Sequence, residues 1–155
     1  MKVIKAPEEL RIQSPSIFLA GSIEMGKAVD WQTQVTNALR DKDVTILNPR
    51  RDDWDSSWEQ KIENPQFREQ VEWELDALTR ASLIVMYFDP KTMSPISLLE
   101  LGLHAQRGFN VIVCCPEGFW RKGNVDIVCK RYRISTCSTL DELIQRILER
   151  VKSWG

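Results

Sequence analysis

Four short and almost wholly apolar runs punctuate the chain: Ile17–Ala20, Val44–Leu47, Leu83–Phe88 and Val111–Cys115. Runs of this length without polar alternation are strands buried on both faces, so helices must cover both sides of the sheet they form. Helical patterning lies between them. Asp30 precedes Trp31–Arg40, where Trp31, Val35, Ala38 and Leu39 recur at helical spacing. Asn64 followed by Pro65 is a cap with proline at the first helical position, and Phe67, Val71, Leu75 and Leu78 mark one face of a helix reaching about Arg80. Ser97–Gln106 reads as a helix closing near Gly108. A short helix over Val125–Lys130 and a short fifth strand over Tyr132–Ser135 follow. Ser138, with Asp141 three residues on, then opens an amphipathic helix through Leu140, Leu143, Ile144, Ile147, Leu148 and Val151. This alternation predicts a doubly wound α/β domain, about five mainly parallel strands in three layers. No linker or repeat interrupts it, so 1–155 reads as one domain.

Composition narrows the function classes. Lys+Arg 21 against Asp+Glu 22 gives a net charge of −1, which leaves no electrostatic footprint for nucleic acid or an anionic membrane. No apolar run approaches the roughly 20 residues of a bilayer span, and Met1–Leu10 carries charges with no apolar signal core. A cytoplasmic location is the expectation. Cys114 and Cys115 sit inside an apolar run while Cys129 and Cys137 stand alone, so reduced structural thiols are expected and no metal-ligand spacing is present. His104 is the single histidine, which removes most histidine-based metal sites and triads. Chemistry should therefore rest on carboxylates.

Folds of this class place ligands at the carboxyl ends of the strands, which brings the turns at Gly21-Ser22, Asn48–Arg51 and Asp89–Pro95 to one rim. Just beyond the last of these, Glu100 is a lone carboxylate in the run Ile96–Leu103. It suits nucleophilic or acid–base work, yet Ser97-x-x-Glu100 is also a capping box that needs no substrate. Glu72 and Asp76 lie four apart on the preceding helix, either as part of a substrate site or as surface acids together with Glu69 and Glu74. Gly21-Ser22 offers backbone N–H groups and a hydroxyl, but Gly26 lies too far along to complete a dinucleotide fingerprint. Arg50-Arg51, Asp52-Asp53 and Trp54 could hold a heterocycle and its sugar or simply link a charged loop, within the long connection Asn48–Asn64. His104, one turn after Glu100, could touch it or pack the helix.

Taken together, Ile17–Ile23, Asn48–Arg51, Trp73-Glu74-Leu75-Asp76 and Ser94–Gly102 resemble the nucleoside 2-deoxyribosyltransferase family, in its short deoxyribosyltransferase-like branch. The most specific part is Pro-Ile-Ser-Leu-Leu-Glu-Leu-Gly, in phase with the upstream Trp-Glu-Leu-Asp. The resemblance implies a flavodoxin-like fold and a retaining, cofactor-free exchange of the base on a 2′-deoxynucleoside, with a free base as second substrate. Glu100 would be the nucleophile and Asp76 would help protonate the leaving base. Gly21, Ser22 and Ile23 would border the nucleoside, with Asn48 and Arg50 nearby. The better-characterised transferases carry an aspartate about six residues before the nucleophile, where this chain has Ser94; Asp89 could reach that place if its loop folds back. Related hydrolases cleave nucleoside 5′-monophosphates, and Ser22, Ser94 and Arg50 could surround a phosphate in that way. The family also favours a homo-oligomer with part of each site at a subunit contact.

Overall fold

The computed structural model describes residues 1–23 and 28–155, and Gly26 lies outside them. Six strands form one parallel sheet: β1 (Lys2–Lys5), β2 (Ser16–Gly21), β3 (Thr45–Asn48), β4 (Leu83–Tyr87), β5 (Val111–Cys114) and β6 (Ser135–Cys137). Five helices accompany them: α1 (Trp31–Ala38), α2 (Pro65–Arg80), α3 (Pro95–His104), α4 (Lys122–Arg131) and α5 (Leu140–Lys152). The spatial order is β1-β3-β2-β4-β5-β6. Without the edge strand β1 this is the flavodoxin-like order, and the chain reverses its direction of travel between β2 and β4.

Period-two alternation divides the core between the two faces. From β2, Phe18 and Ala20 pack with Trp73, Ala77 and Leu78 of α2, Leu101 of α3 and Val125 and Cys129 of α4. Ile17 and Leu19 point the other way, to Trp31 and Val35 of α1 and Leu143 and Ile147 of α5. The result is the three-layer arrangement that uninterrupted apolar strands require. All four cysteines are buried free thiols within these layers.

The sixth strand and several boundaries differ from the sequence reading. β1 pairs with β3 from Lys2↔Thr45 to Lys5↔Asn48, and as an edge strand with lysine at each end it lacks the apolar run that marks the inner strands. The last strand is Ser135–Cys137 rather than Tyr132–Ser135, because Arg133 adopts φ 57° and turns the chain between α4 and the sheet. The final helix is capped one residue later than expected, by Thr139, whose hydroxyl accepts from the Glu142 amide at 3.2 Å.

α2 is rotated relative to its expected face. Its buried residues are Gln70, Trp73, Ala77 and Leu78, while Leu75 is 42% exposed. The inward stripe thus includes a polar residue, Gln70, with Glu74 half-buried beside it.

α3 begins at Pro95, with Ser94 at the cap position in the left-handed region (φ 45°, ψ 52°) and no side-chain cap. Glu100 therefore lies well inside the helix, and the capping box from Ser97 does not form. A short 3-10 segment, Ala105–Asn110, connects α3 to β5.

Candidate active site

The carboxyl ends of β2 and β4, where the strand order reverses, are joined by a compact hydroxyl cluster. Gly21 ends β2 at φ 135°, and a Cβ there would drive into the Tyr87 backbone of β4, so only glycine permits the close approach. The Ser22 amide then donates to the Tyr87 carbonyl at 2.9 Å. Ser22 Oγ lies 2.8 Å from Thr92 Oγ1 and 2.5 Å from Ser94 Oγ, and the last two are 2.7 Å apart. Ser22 Oγ also accepts from the Asp89 amide, and Thr92 Oγ1 donates to the Asp89 carbonyl, both at 2.9 Å. All three residues are buried. Two of the expected substrate-binding residues, Ser22 and Ser94, are thereby brought into direct contact across 72 residues of sequence.

Ser94 is a non-glycine residue at positive φ, a conformation that costs on the order of 1 kcal/mol. Its conformation sets the start of α3 beside the cluster, with Pro95 at the first helical position. The Ser94 side chain does not cap the helix, whose N-terminal dipole points toward the rim.

Glu100 lies on the inward face of this helix with Ser97 and Leu101. It is 9% exposed. Burial, followed by the charge of Glu74, pushes its carboxyl up to about 8. Glu74 of α2 is the carboxylate whose charge Glu100 feels; burial raises its proton affinity too, and a hydrogen bond from Gln70 Nε2 at 2.8 Å acts in the opposite direction. Two carboxyl groups whose charges interact in a partly buried site hold a proton between them more readily than two isolated ones.

The remaining expected residues are distributed unevenly around this pair. Asp76, expected as the proton donor, is exposed on α2, two residues and about 200° of helical rotation from Glu74. The charge that Glu100 feels is that of Glu74, while Asp76 lies on the exposed side of α2. Asp89 is buried at the rim, but its oxygens accept from the amides of Val29 at 2.8 Å and Lys91 at 2.9 Å. Its carboxylate is thus committed to holding two backbone segments together. Asn48 ends β3 and accepts from the Arg50 amide at 3.0 Å, which turns the chain at the rim. Arg50 is partly exposed and lies 3.7 Å from Asp30. Ile23 is exposed beyond Ser22. Arg51 is not a free donor: it bonds Asp53 at 2.6 Å and Glu69 at 2.7 Å and lies over Trp58, tying down the loop after β3. His104 has its proton affinity lowered by burial and by the charge of Arg107. Among the described residues no cluster of three or more His, Cys, Asp or Glu side chains is placed to hold a metal ion. Nor is any helix long and apolar enough to cross a membrane.

Glu74, which the sequence reads as a surface acid, and Gln70, which it gives no site role, share the inward phase of Trp73 and Ala77 through the spacing Gln70-x-x-x-Glu74.

A crystal structure of a conserved protein from Enterococcus faecalis V583 is similar in fold, with TM-score 0.63, 14% sequence identity, and coverage of 89% of this chain and 99% of that one. No curated protein sequence matches significantly. The family described as nucleoside 2-deoxyribosyltransferase like matches residues 14–119, a span holding β2 through β5, Glu74, Glu100 and the whole hydroxyl cluster. Since that is well over half of the chain, the protein belongs to the nucleoside 2-deoxyribosyltransferase-like family.

Proposed function

We propose that the protein carries out retaining N-glycosidic bond chemistry on 2′-deoxynucleosides, moving the deoxyribosyl group between bases through a covalent ester with Glu100. The observation that carries this reading is the buried carboxyl of Glu100 on α3, raised to about 8 by burial and by the charge of Glu74 on α2. In the form of the pair that carries one proton, held by Glu74, the ionised Glu100 attacks the anomeric carbon as the glycosidic C–N bond breaks, and the bond's electron pair leaves with the base, which takes that proton from Glu74. In the second half, the nitrogen of an acceptor base attacks the same carbon. Its proton returns to Glu74 and the Glu100 ester bond breaks. Opposed environments that share protons between two carboxyl groups are the usual means of supplying nucleophile and acid together.

A second reading is supported by the hydroxyl cluster. Ser22, Thr92 and Ser94 gather three hydroxyls at the N-terminus of α3, where an anion is favoured. With serine at 94, this end of the site fits a 5′-phosphate better than a bare sugar, and water in place of the acceptor base makes the same residues a nucleotide N-glycoside hydrolase. Chromatography of deoxynucleosides and deoxynucleoside 5′-monophosphates, each incubated with and without a second free base, separates these readings. A new nucleoside is the expected product. Free base without exchange, strongest for the monophosphates, favours the hydrolase; silence across the panel, with binding retained, leaves a nucleotide-sensing module and rejects both reactions.

The outward face of α3 supports a homo-oligomer. Ile96, Leu99 and Leu103 form a stripe 58, 59 and 56% exposed, on the helix that presents Glu100 inward. Wild-type protein is expected to sediment as an oligomer and Leu99→Asp as a smaller species. Identical sedimentation of the two would remove this face from the contact.

A further inference from the structure

We infer that Gln70 is a positioning residue of the site, a carboxamide clamp that fixes Glu74 against the loop after β3 so that one carboxyl oxygen is held and the other is left for chemistry. The inference rests on the reading of Glu74 as the group that exchanges protons with the base. Gln70 is 6% exposed. Its Nε2 donates to the Pro49 carbonyl at 2.7 Å and to Glu74 Oε1 at 2.8 Å, which uses both of its N–H groups. The two acceptors dictate which way the amide points, because a flipped amide would set its oxygen against both of them.

That orientation leaves Gln70 Oε1 buried without a hydrogen-bond partner. A buried acceptor without a donor costs about 1–3 kcal/mol. A side chain that merely filled the space between α2 and the loop would not need to accept this cost, and methionine or leucine would serve. The amide is explained by what its nitrogen does. It ties together the β3 loop that carries Asn48 and Arg50, its own helix, and the carboxyl group facing α3.

The clamp also tunes proton exchange. On α3 the titratable group facing Glu74 is Glu100; on α2 its polar partner is Gln70; from the β3 loop the Pro49 carbonyl reaches the same amide. Burial favours the protonated form of Glu74, and the Gln70 donor favours the ionised form. A group balanced in this way can give a proton to one base and recover it from the next.

The test combines direct titration with kinetics. Protein labelled with carbon-13 at the glutamate carboxyls is titrated by NMR, with the Glu74 signal assigned by its loss in Glu74→Gln. Gln70→Met removes both donors at similar volume, and Gln70→Asn keeps an amide too short to span both acceptors. In each folded variant the Glu74 midpoint is expected to rise by on the order of one pH unit, because a donor to the charged form has been lost. With a turned-over substrate, kcat should fall about tenfold to a hundredfold while KM stays within about threefold. In a Glu74→Gln background, Gln70→Met should cost little more. An unmoved Glu74 midpoint in both variants overturns the clamp. The NMR arm does not depend on turnover, so a shifted midpoint in a protein that cleaves no N-glycoside would retain the clamp and reject the glycosidic reaction instead.

Discussion

Glu100→Gln is expected to remove N-glycoside turnover by at least about a thousandfold while making the fold more stable in mild alkali. The two effects have one cause. Glu100 is buried, and its carboxyl is raised from an ordinary 4.5 to about 8. Between those values the folded chain binds a proton that the unfolded chain has released, so stability falls as pH rises through this window. Above about 8 both states are ionised and the full penalty remains. At about 1.4 kcal/mol for each unit, the penalty is on the order of a few kcal/mol. Glutamine carries no charge to bury. Thermal melts at pH 9 should therefore place Glu100→Gln about 5–10 °C above wild type, and the two curves should converge toward pH 4. A variant that melts together with wild type at pH 9 would mean that water reaches Glu100 freely. Turnover retained by Glu100→Gln would exclude it as nucleophile, whatever the melts show.

The architecture was readable because the inner strands are buried on both faces. Ile17–Ala20, Leu83–Phe88 and Val111–Cys115 have no polar alternation to confuse with another element, and the observed strands fall on them. The boundaries of α2 follow from Asn64-Pro65, whose side-chain cap on the Phe67 amide at 3.0 Å is the local chemistry that the dipeptide encodes. β1 is an edge strand with two lysines, stabilised by its ladder with β3, and nothing local distinguishes it from a loop.

The phase of α2 was less legible. Its apolar residues Phe67, Val71, Leu75 and Leu78 suggest one inward face; Leu78 is buried as expected, but otherwise the core is reached by Trp73 and Ala77, and polar Gln70 is buried with them. Hydrophobic periodicity locates the face that a helix turns to an apolar core, and a helix that also lines a polar site violates that rule where the site lies. The same conflict affects α3. Ile96, Leu99 and Leu103 are the exposed residues there, and Ser97 and Glu100 are buried. A serine and a glutamate turned inward while three aliphatic side chains face outward is the inverse of an ordinary surface helix. Both inversions surround the same pair of carboxyl groups.

Glu74→Gln and Asp76→Asn should consequently behave very differently. Glutamine at 74 keeps the shape and the hydrogen-bonding capacity toward Gln70 but cannot give a proton to a departing base. A loss of about a hundredfold to ten-thousandfold in kcat/KM is expected, greatest for bases that leave poorly and least for those that depart unaided. Asp76→Asn, on the exposed side of α2, should remain within about twofold of wild type for every base. The pH dependence supplies an independent check. The pair reacts with one proton between its members, so the wild-type rate falls as pH passes through about 8, where that proton is lost. The charge of Glu74 contributes to the elevation of Glu100, and removing it favours ionised Glu100. In Glu74→Gln the residual rate should therefore rise with pH to a lower plateau, reached below pH 8, and show no fall above it. A fall above pH 8 retained in Glu74→Gln would separate the two carboxyl groups electrostatically. A loss in Asp76→Asn as large as that in Glu74→Gln would require α2 to turn its other face to the substrate, and with it the assignment of the proton donor would return to Asp76.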